Sequence, residues 1–176
     1  MAEENEENNI QYPSTEIILE ACKIEYEKEM QRTSNIDGKT NTFLTISTAL
    51  YAFFIPLANF KQMFALENTL KNCVSTVLLI VLIAMSFLTL LTATILFISV
   101  ISSRAYKAID VSVLLPYANR QSENTSVVLS RLYDGAIAYN RLLNEKRMKS
   151  FKIGVIFIII CIILTTLTYV LKVNLL

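Results

Sequence analysis

The chain has no histidine and only three glycines, three cysteines and three prolines among its 176 residues. Without histidine, neither a histidine-based catalytic triad nor the usual mixed zinc site can be assembled. With glycine confined to Gly38, Gly135 and Gly154, no phosphate-binding loop or dinucleotide fingerprint can be written. Cys22, Cys73 and Cys161 are odd in number and far apart, which suggests neither a disulfide framework nor a metal centre. The opening residues MAEENEENN are acidic, the reverse of the basic start that a secretory signal needs, so no removable signal peptide is expected. Nor do the acids of this region read as catalytic pairs, because acids at such density usually form a solvated face. No catalytic residues, no metal site and no cofactor are therefore expected.

Charge is also scarce, but only in places. Asn72 to Ser103 runs for thirty-two residues without a charge, between Lys71 and Arg104. A bilayer core needs about 20 apolar residues in a helix, and this run at about 1.5 Å per residue makes roughly 48 Å. It suffices for one crossing with a few turns to spare and is too short for two. Thr40 to Phe60 and Ile153 to Leu171 are likewise uncharged, and each matches the length of one crossing. The expected fold is an all-α membrane protein with three transmembrane helices, at 40–60, 72–103 and 153–171, and a helical cytoplasmic stalk.

The remaining segments are polar. Residues 1–13 form an acidic tail with little to bury, expected to be disordered. Residues 14–39 form an amphipathic helix, with Ser14 at its start and Ile17, Ala21 and Ile24 on one face. The stretch 61–71 is a short external connection that makes the first two crossings an antiparallel hairpin. Within 104–152 a helical pattern runs on from Arg104 to a break at Pro116, and a second amphipathic helix then carries Val128, Leu132, Ala136, Tyr139 and Leu143 on its stripe. Residues 172–176 form an external tail. Ten acids and four bases fall in 1–39, against nine bases and four acids in 104–152. Positive loops stay in the cytoplasm, which puts the N-terminus inside, the C-terminus outside, and the two oppositely charged regions on the same side. On that side the glycosylation-like Asn124-Thr125-Ser126 carries no meaning.

Candidate functional residues follow from this layout. Asp37 and Lys39 stand at the mouth of the first crossing, and a carboxylate there is best placed beside a base, for which Arg104 is the expected partner. Asn140, Lys146, Arg147 and Lys149 lie on the second cytoplasmic helix. Their basic run is first an orientation signal and second a candidate site for an anionic ligand or headgroup. Ser86, Thr89 and Thr92 recur at i, i+3 and i+6 on the central crossing. They would serve either as a pore face in an oligomer or, the blander reading, as helix-packing residues bonded to their own backbone. Gly154 and the Thr165, Thr166, Thr168 cluster suit helix–helix contact.

Two passages resemble a known family. Glu29-Met-Gln-Arg32, then Ile36-Asp37-Gly38-Lys39-Thr40 and Phe43-Leu44, resembles the approach to the first membrane helix in Pycsar-type transmembrane effectors. Ile137-Ala-Tyr-Asn140 with Lys146, followed by a membrane helix, is similar to that family's ending, and the related SLATT effectors share the plan. Thr40 stands where alanine is usual. The resemblance implies a bacterial inner-membrane effector of antiphage defence that impairs membrane integrity after a cyclic nucleotide signal or a soluble defence partner arrives. Its expected partners are the lipid bilayer and further copies of itself, with no nucleic acid. The competing expectation is a membrane-anchored interaction module that recruits a soluble protein; a transporter is disfavoured because the crossings hold no charge.

Overall fold

The computed structural model describes residues 14–57, 70–103, 105–117 and 122–175. The expected tail 1–13 lies outside them, as do most of the connection 61–71 and Arg104. The described chain is all-helical: α1 (Thr15–Leu57), α2 (Leu70–Ser102), a 3₁₀ helix (Val111–Tyr117) and α3 (Ser122–Leu175). The Ser14 carbonyl accepts the Ile18 amide at 3.1 Å and so opens α1.

Two of these helices, α2 over Cys73–Ser102 and α3 within Asn124–Val173, are long and apolar enough to cross a membrane. The structure thus supports two crossings of this kind rather than the three expected. In α1 the uncharged run opens with Thr40, Asn41 and Thr42 and continues through Thr45, Ser47 and Thr48, which dilutes its apolar surface; residues 58–60 lie outside the description.

The chain forms two units, one of residues 1–33 with 105–144 and one of 34–104 with 145–176. In the second unit the buried positions advance by alternating steps of four and three. On α2 they are Leu79, Ile83, Ser86, Leu90, Ala93, Phe97 and Val100. On α3 they are Arg147, Phe151, Gly154, Ile158, Cys161 and Thr168, and on α1 Ile36, Thr40, Ser47 and Phe54. This 3.5-residue period keeps one seam of each helix facing its neighbours and is the signature of knobs-into-holes packing. At the centre the rings of Phe43, Phe97 and Phe151 meet pairwise with centroids 5.4 to 5.8 Å apart. Gly154 lets α3 approach, because a Cβ there would stand 2.7 Å from the Phe97 ring.

Three expectations change. The helical pattern expected from Arg104 to Pro116 is not formed: α2 ends at Ser102, 105–110 is irregular, and Pro116 sits inside the 3₁₀ helix. Side chains compete here for the backbone, with Asn140 binding Lys107 and the Asp110 carboxylate accepting the Ser112 amide at 2.9 Å. Second, the stripe Ile17, Ala21, Ile24 faces outward, Ile17 being 73% exposed; Tyr26 and Glu29 point inward instead. Third, of the stripe expected on 128–143 only Ala136 is buried, and Tyr139 is exposed while its neighbour Asn140 is buried. In both helices polar groups occupy the inner face, since each finds a hydrogen-bonding partner there.

Candidate functional site

In the unit of 34–104 and 145–176 the decisive side chain is Arg147. It follows from the helical phase of α3, four residues before Phe151, that this one base of the run turns inward while Lys146 and Lys149 stay exposed. The Arg147 side chain is only 2% exposed. Its Nη2 donates to Asp37 Oδ1 on α1, and its Nε donates to the Val100 carbonyl of α2 at 2.9 Å. Val100 lies in the last turn of α2, where carbonyls lack helical partners and the dipole favours a cation. One guanidinium therefore ties three helices. The expected partner of Asp37, Arg104, lies outside the described residues; among the described residues Arg147 pairs with Asp37, a base that the sequence suggested only as part of a basic run. Lys39 is exposed. Thr40, in the alanine position of the resembling family, is fully buried and donates its hydroxyl to the Ile36 carbonyl at 2.7 Å.

Further along this unit, the three candidate hydroxyls of α2 bond their own helix. Ser86 donates to the Leu82 carbonyl, Thr89 to Ser86 and Thr92 to Leu88, each at 2.8 Å. Ser86 is buried in the seam, Thr89 half-buried and Thr92 exposed, so the three do not line one face in a single chain. Ser47 and Thr168 bond their own helices in the same way.

In the unit of 1–33 and 105–144 a polar cluster joins α1 to α3. Asn144, 1% exposed, donates to Glu29 Oε2 at 3.1 Å and to the Glu29 carbonyl at 3.3 Å. Its own oxygen faces the Thr33 hydroxyl at 3.1 Å, whose single proton is shared with the Glu29 carbonyl. Arg32 and Arg141 flank Glu29 at 3.3 and 3.4 Å, and Arg141 also meets Glu25 at 2.7 Å. Glu29 is thus a buried carboxylate with two cations and an amide, the surroundings a buried charge requires. Asn140, buried, accepts the Lys107 amide at 3.0 Å and donates to the Lys107 carbonyl at 3.2 Å, which holds the irregular segment on α3.

An aromatic group completes this unit. Tyr26 packs edge-on against Tyr133 at 5.3 Å and on Tyr106 at 6.1 Å. The Tyr106 hydroxyl is buried without a hydrogen bond. Burial pushes the Tyr106 phenol well above its ordinary value; burial, with Tyr26 and Glu27 adding, raises Tyr133 too.

No family model, curated protein or solved structure matches this chain. Its function must therefore be argued from its own residues. Among the described residues no three His, Cys, Asp or Glu side chains gather to hold a metal ion. What the two clusters offer is mechanical linkage, with buried polar residues that fix one register between α1 and α3. The sequence signal for them was present in the spacing Asn140, Asn144, Arg147, which falls in phase with Phe151, Gly154 and Ile158.

Proposed function

We propose that this chain is a bacterial inner-membrane effector of antiphage defence that impairs membrane integrity as an oligomer once a nucleotide signal or soluble partner releases it. The observation that carries the reading is an inversion of polarity in α2 and α3. Their outward faces are apolar, including Val81, Leu88, Ile95, Ile156, Ile159 and Ile163, while Ser86, Arg147 and Thr168 are turned inward. Such an arrangement suits lipid outside and specific packing inside. Phe53 and Ile55 of α1 are outward and apolar as well, which supports a third crossing over 40–60. With three crossings the basic residues of 104–152 and the acidic N-terminal helix share the cytoplasmic face, and the C-terminus lies outside.

Among the described residues the buried seam hydroxyls are bonded within their own helices and offer no polar path through a single copy, so permeability requires several copies or a rearrangement. Support for the defence role is the resemblance itself: Glu29 and Arg32 of its first passage form a pair, and Asn140 of its second has a buried bonding role. A second reading, an anchored module recruiting a soluble protein, is favoured by the outward Ile17 and Ile24.

Dye leakage from liposomes carrying the purified chain, with and without a panel of cyclic mononucleotides and oligonucleotides, separates the two. Leakage triggered by one nucleotide is the expected result. Constitutive leakage keeps the effector reading and assigns control to a protein partner. A tight membrane throughout rejects it in favour of the anchored module.

A further inference from the structure

A cavity of about 230 Å³ lies within the unit of 1–33 and 105–144, between the irregular segment and α3. Lys107 and Arg131 line it from the two sides, Leu132, Gly135 and Ala136 contribute apolar floor, and Asp110 stands with them. Among the described residues neither Lys107 nor Arg131 has an ion pair. We propose that this cavity binds a small phosphate ester that also carries a hydroxyl group, a sugar phosphate or the ribose phosphate of a nucleotide. The phosphate sits between Lys107 and Arg131, and a ligand hydroxyl donates to Asp110.

Three features make this a built site. Asn140 holds both backbone polar groups of Lys107 from a buried position, so the backbone that carries the lysine is held against α3 before any ligand arrives, which lowers the ordering cost of binding. A Cβ built on Gly135 would meet nothing within 4 Å, so the floor is open where any larger side chain of α3 would project. Asp110 has one oxygen occupied by the Ser112 amide at 2.9 Å, a bond that holds its carboxyl below the ordinary value. Its carboxylate would repel a bare anion, yet it suits a ligand that presents a hydroxyl beside its phosphate. At about 230 Å³ the cavity lies below the roughly 300–1,000 Å³ of pockets that hold drug-sized ligands, which suits a compact ligand such as a pentose phosphate. An amide clamp that served only to satisfy irregular backbone would explain Asn140 but neither the two cations of the lining nor the open floor.

This site stands apart from the effector reading, because binding is measured directly and leakage plays no part. Isothermal titration of the full chain in neutral detergent compares ribose 5-phosphate and adenosine monophosphate with ribose and adenosine. The two phosphates are expected to bind and their dephosphorylated forms not to. Arg131→Gln weakens binding about tenfold or more, the usual effect of removing a charge-assisted bond. Gly135→Leu abolishes binding while the melting temperature holds or rises, leucine being the better helix former. Equal binding of ribose and its phosphate, indifference to both variants, or no heat from either phosphate at millimolar concentration would overturn the proposal. So would a response confined to nanodiscs containing phosphatidylglycerol, which would make a lipid headgroup the source of the phosphate.

Discussion

Arg147 shows what one residue's phase on a helix decides. In sequence it is the second of four bases, and a basic run beside a membrane helix is ordinarily solvated. In the structure its position three residues after Asn144 and four before Phe151 carries it inside, to Asp37 and the Val100 carbonyl. Burying a guanidinium is costly unless both charge and donors are satisfied, and here both are. Removing it strands its partners. Arg147→Ala should therefore lower unfolding free energy by about 3–5 kcal/mol. Arg147→Lys should fall between the two, because an ammonium lacks the planar fork that reaches two acceptors at once. Lys146→Ala, on the exposed side of the same turn, should stay within about 0.5 kcal/mol of the parent. Chemical denaturation in mild detergent, followed by helical circular dichroism, measures all three; equal losses at 146 and 147 would sink the assignment.

At the scale of the helices, the uncharged runs are legible in the sequence, whereas the steps of four and three that order the seam emerge only with the packed structure. The uncharged runs marked α2 and the later part of α3 correctly as long apolar helices. Their outward faces are nearly as apolar as their inward ones, so hydropathy alone could not say which side packs. The inner face is marked by residues small or polar enough to be costly elsewhere: Ser86, Ala93, Gly154, Cys161 and Thr168. In the unit of 1–33 and 105–144 the error was of the opposite kind. A helix in water is expected to hide the apolar face of Ile17 and Ile24 and to leave Glu29 wet, and nothing in one helix singles out Asn144. Reciprocal hydrogen bonding, which no single helix reveals, reverses that choice. Glycines test the packing directly. At Gly154 an added methyl meets the Phe97 ring at 2.7 Å, and that ring is held by Phe43 and Phe151. Gly154→Ala is thus expected to destabilise by about 1–3 kcal/mol through overpacking. Gly38→Ala, where nothing lies within 4 Å, should stabilise by about 0.5–1 kcal/mol from helix propensity. Opposite shifts in melting temperature for the two variants are the expected result, and a gain at both positions would mean that α3 does not approach Phe97.

For the whole molecule, what surrounds the helices determines what the packing is worth. In water the outward isoleucines of α2 and α3 would be a large exposed apolar surface, a liability for any soluble protein. In a bilayer they cost nothing, and the same medium removes the hydrophobic drive from the seam, leaving close van der Waals contact and internal polar ties to hold the helices together. The aromatic trio and Arg147 are features of that second kind. Two exposed positions on α3 distinguish these environments. Ile159 is 52% exposed within the proposed crossing, and Leu142 is 55% exposed before it. For a soluble protein, lysine at either position would change stability by no more than about 0.5 kcal/mol, since neither side chain is packed. With α3 in a bilayer, Ile159→Lys should cost about 2.5–3.5 kcal/mol of insertion free energy if it lies near the midplane, while Leu142→Lys remains among headgroups or in water. After expression in bacteria, the fraction of each variant that resists alkaline extraction from membranes reads this difference. Retention of Leu142→Lys with loss of Ile159→Lys supports a spanning helix whose outward face meets lipid. Equal retention of both would show that these faces meet protein or water, and the effector reading would then lose its membrane.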